Sequence, residues 1–243
     1  MAADDGIRET VMKSNLAPLA TAIVLTGLLA AGSASAAATD CDRLAAAPND
    51  PERPAGVAGV AIVAIDMEKA VPACRAALAA TPDDPRIKYQ LARALSLGNE
   101  AAVKESNTLL RQSAEAGYPS AMYYFGFMVE YGFGFPRDEA AAIEWYRKAA
   151  AAEFPRAMVA MGKVLLAGNG ITADPPAAVE WFRRGADAGD PEAMVLLGGA
   201  YEEGDGVERN MDTARSWYRN AISAGSSAGQ VALDRLERLH PSE

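Results

Sequence analysis

The chain has 243 residues, half of them apolar, and 32 acids against 23 bases give it a net charge of −9. A binder of phosphate backbones needs the opposite sign, which excludes nucleic acid as a partner and an anionic membrane surface with it. Two cysteines and one histidine, His240 near the C-terminus, cannot assemble a structural zinc site or a positioned Cys–His pair, so no metal and no cofactor is expected.

Leu16 to Ala31 is an uncharged, largely apolar run with Lys13 before it and Ala34-Ser35-Ala36 after it. That order is a secretory signal with a small-residue cleavage site. Pro18 interrupts the run, which is shorter than the roughly 20 apolar residues a membrane-spanning helix needs; an uncleaved anchor is the alternative. Asp4, Asp5 and Glu9 suit the start of a signal badly, whereas the segment from Met12 suits it well, leaving Met1 and Met12 as alternative starts. Residues 1–36 are therefore read as a signal peptide cleaved near Ala36. The protein is expected to be periplasmic or secreted, with no stable membrane span after signal removal. The remaining 207 residues carry 29 acids and 21 bases, a net −8, and suffice for one domain with a substantial core. In an exported chain the isolated pair Cys41 and Cys74 is expected as a disulfide, worth about 3–4 kcal/mol in the chain-entropy account.

Residues 37–66, with Pro51, Pro54, Gly56 and Gly59, read as an irregular lead-in that this disulfide would pin to the next helix. Residues 67–117 follow as helical units. Glu68–Ala80 is one helix, ended by Thr81-Pro82-Asp83-Asp84-Pro85. Asp84–Gly117 is a hairpin, with Tyr89, Leu91, Ala92 and Leu95 on its first helix and Leu109, Leu110 and Ala114 on its second.

Residues 118–225 repeat at a fixed period. Trp145, Trp181 and Trp217 lie 36 residues apart, as do Gly126, Gly162 and Gly198, and Pro119, Pro155 and Pro191. Met122, Met158 and Met194 keep the same spacing, and so do the glycine pairs Gly132/Gly134, Gly168/Gly170 and Gly204/Gly206. The spacing of Ala142, Trp145, Tyr146, Ala149 and Ala150 predicts a helix with one apolar stripe. Asp138, Asp174 and Asn210 are its caps, and a preceding helix runs from about Pro119 to Tyr131. Residues 226–243 supply a capping helix and tail, with Val231, Leu233, Leu236 and Leu239 apolar. A lone hairpin cannot bury its stripe, so the units must stack into an all-α superhelix, a solenoid of helical hairpins.

The run A-M-x-x-x-G…G-x-G…A-x-x-W-[YF]-x-x-[AG]-A resembles the SEL-one-like repeat, a relative of the tetratricopeptide repeat, over Ala114–Gly225. Asp84–Gly117 is similar to a plainer tetratricopeptide-like unit. The resemblance implies a scaffold that holds a protein or peptide partner or assembles complexes, including in bacterial envelope signalling. Some exported cysteine-rich members resemble enzymes acting on β-lactams, but those carry a cysteine pair in each repeat, which this array lacks.

Helical spacing makes the tryptophan stripe core. The G-x-G loops lack a phosphate-binding lysine and a preceding strand, so they are interhelix loops. Glu202, Glu203, Asp205 and Glu208 match no calcium loop. Arg147, Arg183 and Arg219 read as helix-surface charge.

Aromatics mark one place apart: eight of 17 fall within residues 118–135. The sister repeats serve as controls. Phe125 and Phe135 match apolar residues and read as core. Phe127 matches Lys163 and Gly199, Tyr131 matches Ala167 and Glu203, and Phe133 matches Asn169 and Asp205. Tyr124, Phe127, Tyr131 and Phe133 are accordingly expected to form an exposed patch that receives a partner, the alternative being packing on residues 53–66.

The function expected is an exported protein–protein interaction scaffold or adaptor, regulating an envelope process by holding a protein or peptide in the solenoid groove. It is not expected to be an enzyme. The alternative is an envelope hydrolase acting on peptidoglycan or β-lactams, which would need a nucleophile and a positioned base; the array has no histidine and no Ser-x-x-Lys motif. Mass spectrometry of the exported chain should find a new N-terminus close to Ala36, and an intact N-terminus on the mature protein would contradict a cleaved signal.

Overall fold

The computed structural model describes residues 38–240, and the expected signal peptide lies outside them. Among the described residues there are eleven α-helices and no strand. They are α1 (Asp40–Ala45), α2 (Met67–Ala80), α3 (Pro85–Leu95), α4 (Glu100–Glu115), α5 (Pro119–Tyr131), α6 (Glu139–Ala151), α7 (Pro155–Ala167), α8 (Pro175–Asp187), α9 (Pro191–Glu203), α10 (Met211–Ser223) and α11 (Ser227–Leu239).

Local chemistry sets these limits. Asp138, Asp174 and Asn210 each accept from the backbone N–H three residues on, at 2.9–3.1 Å, and so open α6, α8 and α10. Prolines open α3, α5, α7, α8 and α9, where the missing N–H costs nothing. Gly132, Gly168 and Gly204 end α5, α7 and α9 in the left-handed region.

Helices pack in antiparallel sequence, α3 on α4, α5 on α6, α7 on α8 and α9 on α10, and each pair packs on the next. First helices of neighbouring pairs also meet, α7 with α9 and α9 with α11, so the array curves around its first-helix side.

Inside each repeat the fully buried ring belongs to Tyr146, Phe182 and Tyr218, the residue after each tryptophan. The tryptophans expected as core are half-buried at its edge. Lys148 lies over Trp145 at 4.2 Å and Arg184 over Trp181 at 4.4 Å. The difference follows from the recurring glycine. A Cβ built on Gly162 would stand 2.4 Å from the Phe182 ring, and one on Gly198 would stand 2.5 Å from the Tyr218 ring. The ring that faces the bare backbone position sinks fully, and its neighbour on the stripe is left at the rim.

The hydroxyls are matched as well. Tyr146 donates to Glu130 at 2.5 Å and Tyr218 to Glu202 at 2.6 Å, whereas the middle repeat has Phe182 and, at the glutamate position, Leu166. Glu202 also takes Arg235 at 2.7 Å, so the acidic loop spends its first carboxylate on structure. Of the four apolar side chains expected on it, the end helix α11 buries Leu233 and Leu236 and leaves Val231 and Leu239 to solvent.

Two tests follow from these positions. Gly117, Gly189 and Gly225 turn the chain between repeats with φ of 84–89°, and Glu153 occupies the equivalent place with φ 58°. A side chain there is strained, so Glu153→Gly should raise stability by about 1 kcal/mol in denaturant titration. Burial, then donation to Glu130 and Glu202, push the Tyr146 and Tyr218 hydroxyls well above the ordinary tyrosine range. A folded-state pKa above the unfolded value gives stability that is complete below about pH 10 and lost as pH rises past it. Melting temperature should fall above that pH, and fall less steeply in Tyr146→Phe/Tyr218→Phe.

Candidate functional site

The site is built on the first-helix face, and the chain itself already uses part of that face. A disulfide joins Cys41 of α1 to Cys74 of α2. From there residues 42–61 run across α3, α5 and α7 as a strap.

On α3 three polar residues at helical spacing, Arg86, Gln90 and Arg93, grip it. Gln90 donates to the buried Asp42 at 2.8 Å, with Arg86 beside the same carboxylate at 3.6 Å. Thr39 donates its N–H and hydroxyl to the other oxygen at 2.7 and 2.8 Å, so the buried charge is fully met. Arg93 donates to the carbonyls of Ala45 and Val60, the latter at 2.7 Å, and so clasps both ends of the strap. At α5 the Tyr118 hydroxyl and Ser120, 3.3 Å away, donate to Asp50. At α7 the Asn49 amide, turned so that its oxygen faces Arg156, accepts from Nε at 2.8 Å.

None of these strap-binding residues stands out in the sequence. The one usable signal is local: Thr39 and Asp42 form a capping box that marks α1 inside the segment read as irregular.

Aligning the opening prolines of α3 and α5 places Ser120, Tyr124, Phe127 and Tyr131 where Arg86, Gln90, Arg93 and Leu97 stand. The expected aromatic residues thus lie on the same face as the strap contacts, one unit further along.

Three of the four come together. Phe127, Tyr131 and Phe133 are 37 %, 54 % and 54 % exposed. Their ring centroids lie 4.8 Å (Phe127–Tyr131), 5.8 Å (Tyr131–Phe133) and 6.1 Å (Phe127–Phe133) apart. Tyr124 stands apart from them. It is half-buried against Tyr89 at 6.0 Å and Tyr123 at 5.1 Å, and its hydroxyl takes a bond from Arg156 at 3.3 Å. Phe125 is buried, as expected of core, whereas Phe135 is half-buried, edge-on to it at 4.9 Å.

A groove of about 260 Å³ between α5 and α7 runs beside the trio, lined by Phe127, Tyr131, Arg156, Ala160 and Lys163. Its walls combine apolar rings with both signs of charge, Lys163 being paired with Glu192 at 2.5 Å and Glu130 held by the Tyr146 hydroxyl. Burial pushes the Tyr123 hydroxyl in its wall up to about 12. Among the described residues no group of three or more His, Cys, Asp or Glu could hold a metal ion, and no helix is long and apolar enough to cross a membrane. His240 ends α11, exposed at the far end of the array.

The Sel1 repeat family model matches residues 119–154, 155–190 and 191–226. Among solved structures, a Sel1 repeat protein from Oxalobacter formigenes is 27 % identical with a TM-score of 0.64, over 71 % of this chain and 70 % of that one. The c5321 protein, a protective antigen present in uropathogenic Escherichia coli strains and displaying an SLR fold, is 31 % identical with a TM-score of 0.62. That match covers 72 % of this chain and 37 % of c5321, so the chain spans little more than a third of that relative. No curated protein matches the chain in sequence.

Proposed function

Because residues 119–226 of this chain are three Sel1 repeats in an α-solenoid, we propose that it is an exported adaptor that holds a protein or an extended peptide against the first-helix face. Sel1 repeat proteins as a class mediate contacts between proteins. The observation that carries the reading is the cluster of Phe127, Tyr131 and Phe133, three mutually touching and exposed rings on the face that the strap occupies one unit earlier. Such rings bury a large area on contact at little entropic cost, which is what interface anchors require. Tyr124, held by Arg156 and Tyr89, backs the site in this reading through Tyr123, whose ring lies 5.1 Å from it and lines the groove.

Export is supported by the signal-like order of residues 13–36 and by the Cys41–Cys74 disulfide, a bond that persists in oxidising compartments. The envelope is the place that combination points to, and regulation of an envelope process by a held partner is the role proposed. No catalytic step is assigned.

Crosslinking in intact cells followed by mass spectrometry should capture one partner with the natural chain. Phe127→Ser/Phe133→Ser should lose that capture, with affinity for the identified partner weakened about 30-fold or more. The melting temperature should fall far less than for a core substitution, since both side chains keep a third to a half of their surface in water. A large loss of thermal stability with no effect specific to binding would sink the patch.

A further inference from the structure

Where the strap crosses from α3 to α5 it roofs a cavity of about 360 Å³, walled by α3, α4 and α5. Its origin is legible by comparing units. In α6 the seventh and eighth residues after the Asp138 cap are Trp145 and Tyr146, whose ring fills the space against Gly126. In α4 the same positions after the Asn99 cap are Ser106 and Asn107, and the small residue opposite is Ala92. The first unit therefore lacks the ring that closes every later unit.

No aromatic side chain of the strap refills the space: Ala47, Pro48, Asn49 and Ala61 are what it presents there, with Ile62 just beyond. Ser106 turns its hydroxyl onto the Ala92 carbonyl at 2.7 Å, and Ser96 turns its own onto Arg93 at 2.8 Å, so neither makes a polar demand on the cavity. Leu110, Val103 and Met128 make up the apolar part of the interior, beside Asn107 and Ser120, the latter donating to Asp50.

Polar capacity gathers at one side. Arg156 lines the cavity and bonds only neutral groups, the Tyr124 hydroxyl and the Asn49 amide. Beside Tyr124, the buried Tyr89 hydroxyl in the wall has no hydrogen-bond partner. In a chain of net charge −9, a guanidinium without an acid beside an apolar void is complementary to a monoanion with an apolar body.

We propose that this cavity is a site for a small amphiphilic monocarboxylate, its hydrocarbon part taking the place of the missing ring and its carboxylate meeting Arg156. The cavity adjoins the groove beside the aromatic trio and shares Arg156 with it, but the ligand assigned to it does not rest on the partner proposed for the trio.

The test uses the purified, oxidised chain with decanoate as probe, read by calorimetric titration and thermal melting. Decanoate should bind once per chain and raise the melting temperature, and decylamine, a cation at neutral pH, should do neither. Arg156→Gln should weaken decanoate about tenfold or more. Ala61→Trp fills the cavity from the exposed side of the strap and should abolish binding while leaving the melting temperature of the free chain unchanged. Absence of heat and of any shift with decanoate would overturn the proposal, as would undiminished binding to Ala61→Trp. Binding that survives Ala61→Trp but is lost in Phe127→Ser/Phe133→Ser would assign the amphiphile to the aromatic trio and overturn it equally.

Discussion

An aromatic ring closing on a backbone position that carries no Cβ sets the spacing of the two helices in every Sel1 unit, and the remaining architecture follows from that spacing. Tyr146, Phe182 and Tyr218 lie flush against Gly126, Gly162 and Gly198. With the helices this close, the ring is wholly desolvated, its hydroxyl must find an acceptor, and the glutamates of α5 and α9 provide one. Where the hydroxyl is absent, in Phe182, the glutamate is replaced by Leu166. The pairing of ring and acceptor thus changes together within one chain, as expected when an unmatched buried hydroxyl or an idle buried carboxylate costs more than either residue gains. The same contact decides that the tryptophans, one position earlier on the stripe, end half-buried, Trp145 and Trp181 of them under cationic side chains.

The first unit departs from this rule, and the function proposed for the molecule concentrates around the departure. Its second helix has no ring to seat, and its first helix turns Arg86, Gln90 and Arg93 onto the strap that lies across it. The unit next to it then bears the exposed aromatic trio. Sites for other molecules arise here because repetition breaks here: stacking alone satisfies the interior units, while the N-terminal one must be completed by something that is not a repeat.

That division explains what could be read from the chain alone. Helix pairs, caps and the closing glycines recur at one period, and periodicity is a local property that survives in a sequence. The helix over Pro119–Tyr131 and the caps at Asp138, Asp174 and Asn210 are legible for that reason. So is the exposure of Phe127, Tyr131 and Phe133, since their sister positions hold Lys163, Glu203 and Asp205. Which stripe residue sinks deepest is not legible, because Trp145 and Tyr146 both sit on the apolar side and only the glycine opposite chooses between them. Tyr124 shares a helical face with Phe127 and Tyr131, yet Tyr89 and Arg156 cover it, and both come from other units. The strap is the hardest part to foresee. Asp42–Gln90, Asp50–Tyr118 and Asn49–Arg156 join residues far apart, each pair a single meeting with no periodic counterpart.

The strap also bears on how such an array can lengthen. Its two arginine-held ends and its contacts at Tyr118, Ser120 and Arg156 span three consecutive first helices at fixed separations. A hairpin duplicated between α4 and α5 would move the second and third anchors out of reach of Asp50 and Asn49. One duplicated after α8 would leave every anchor where it is and reproduce only the contact between ring and glycine. Growth by unit duplication is therefore directional in this molecule: the N-terminal end is locked to a count, and the C-terminal end is open to extension.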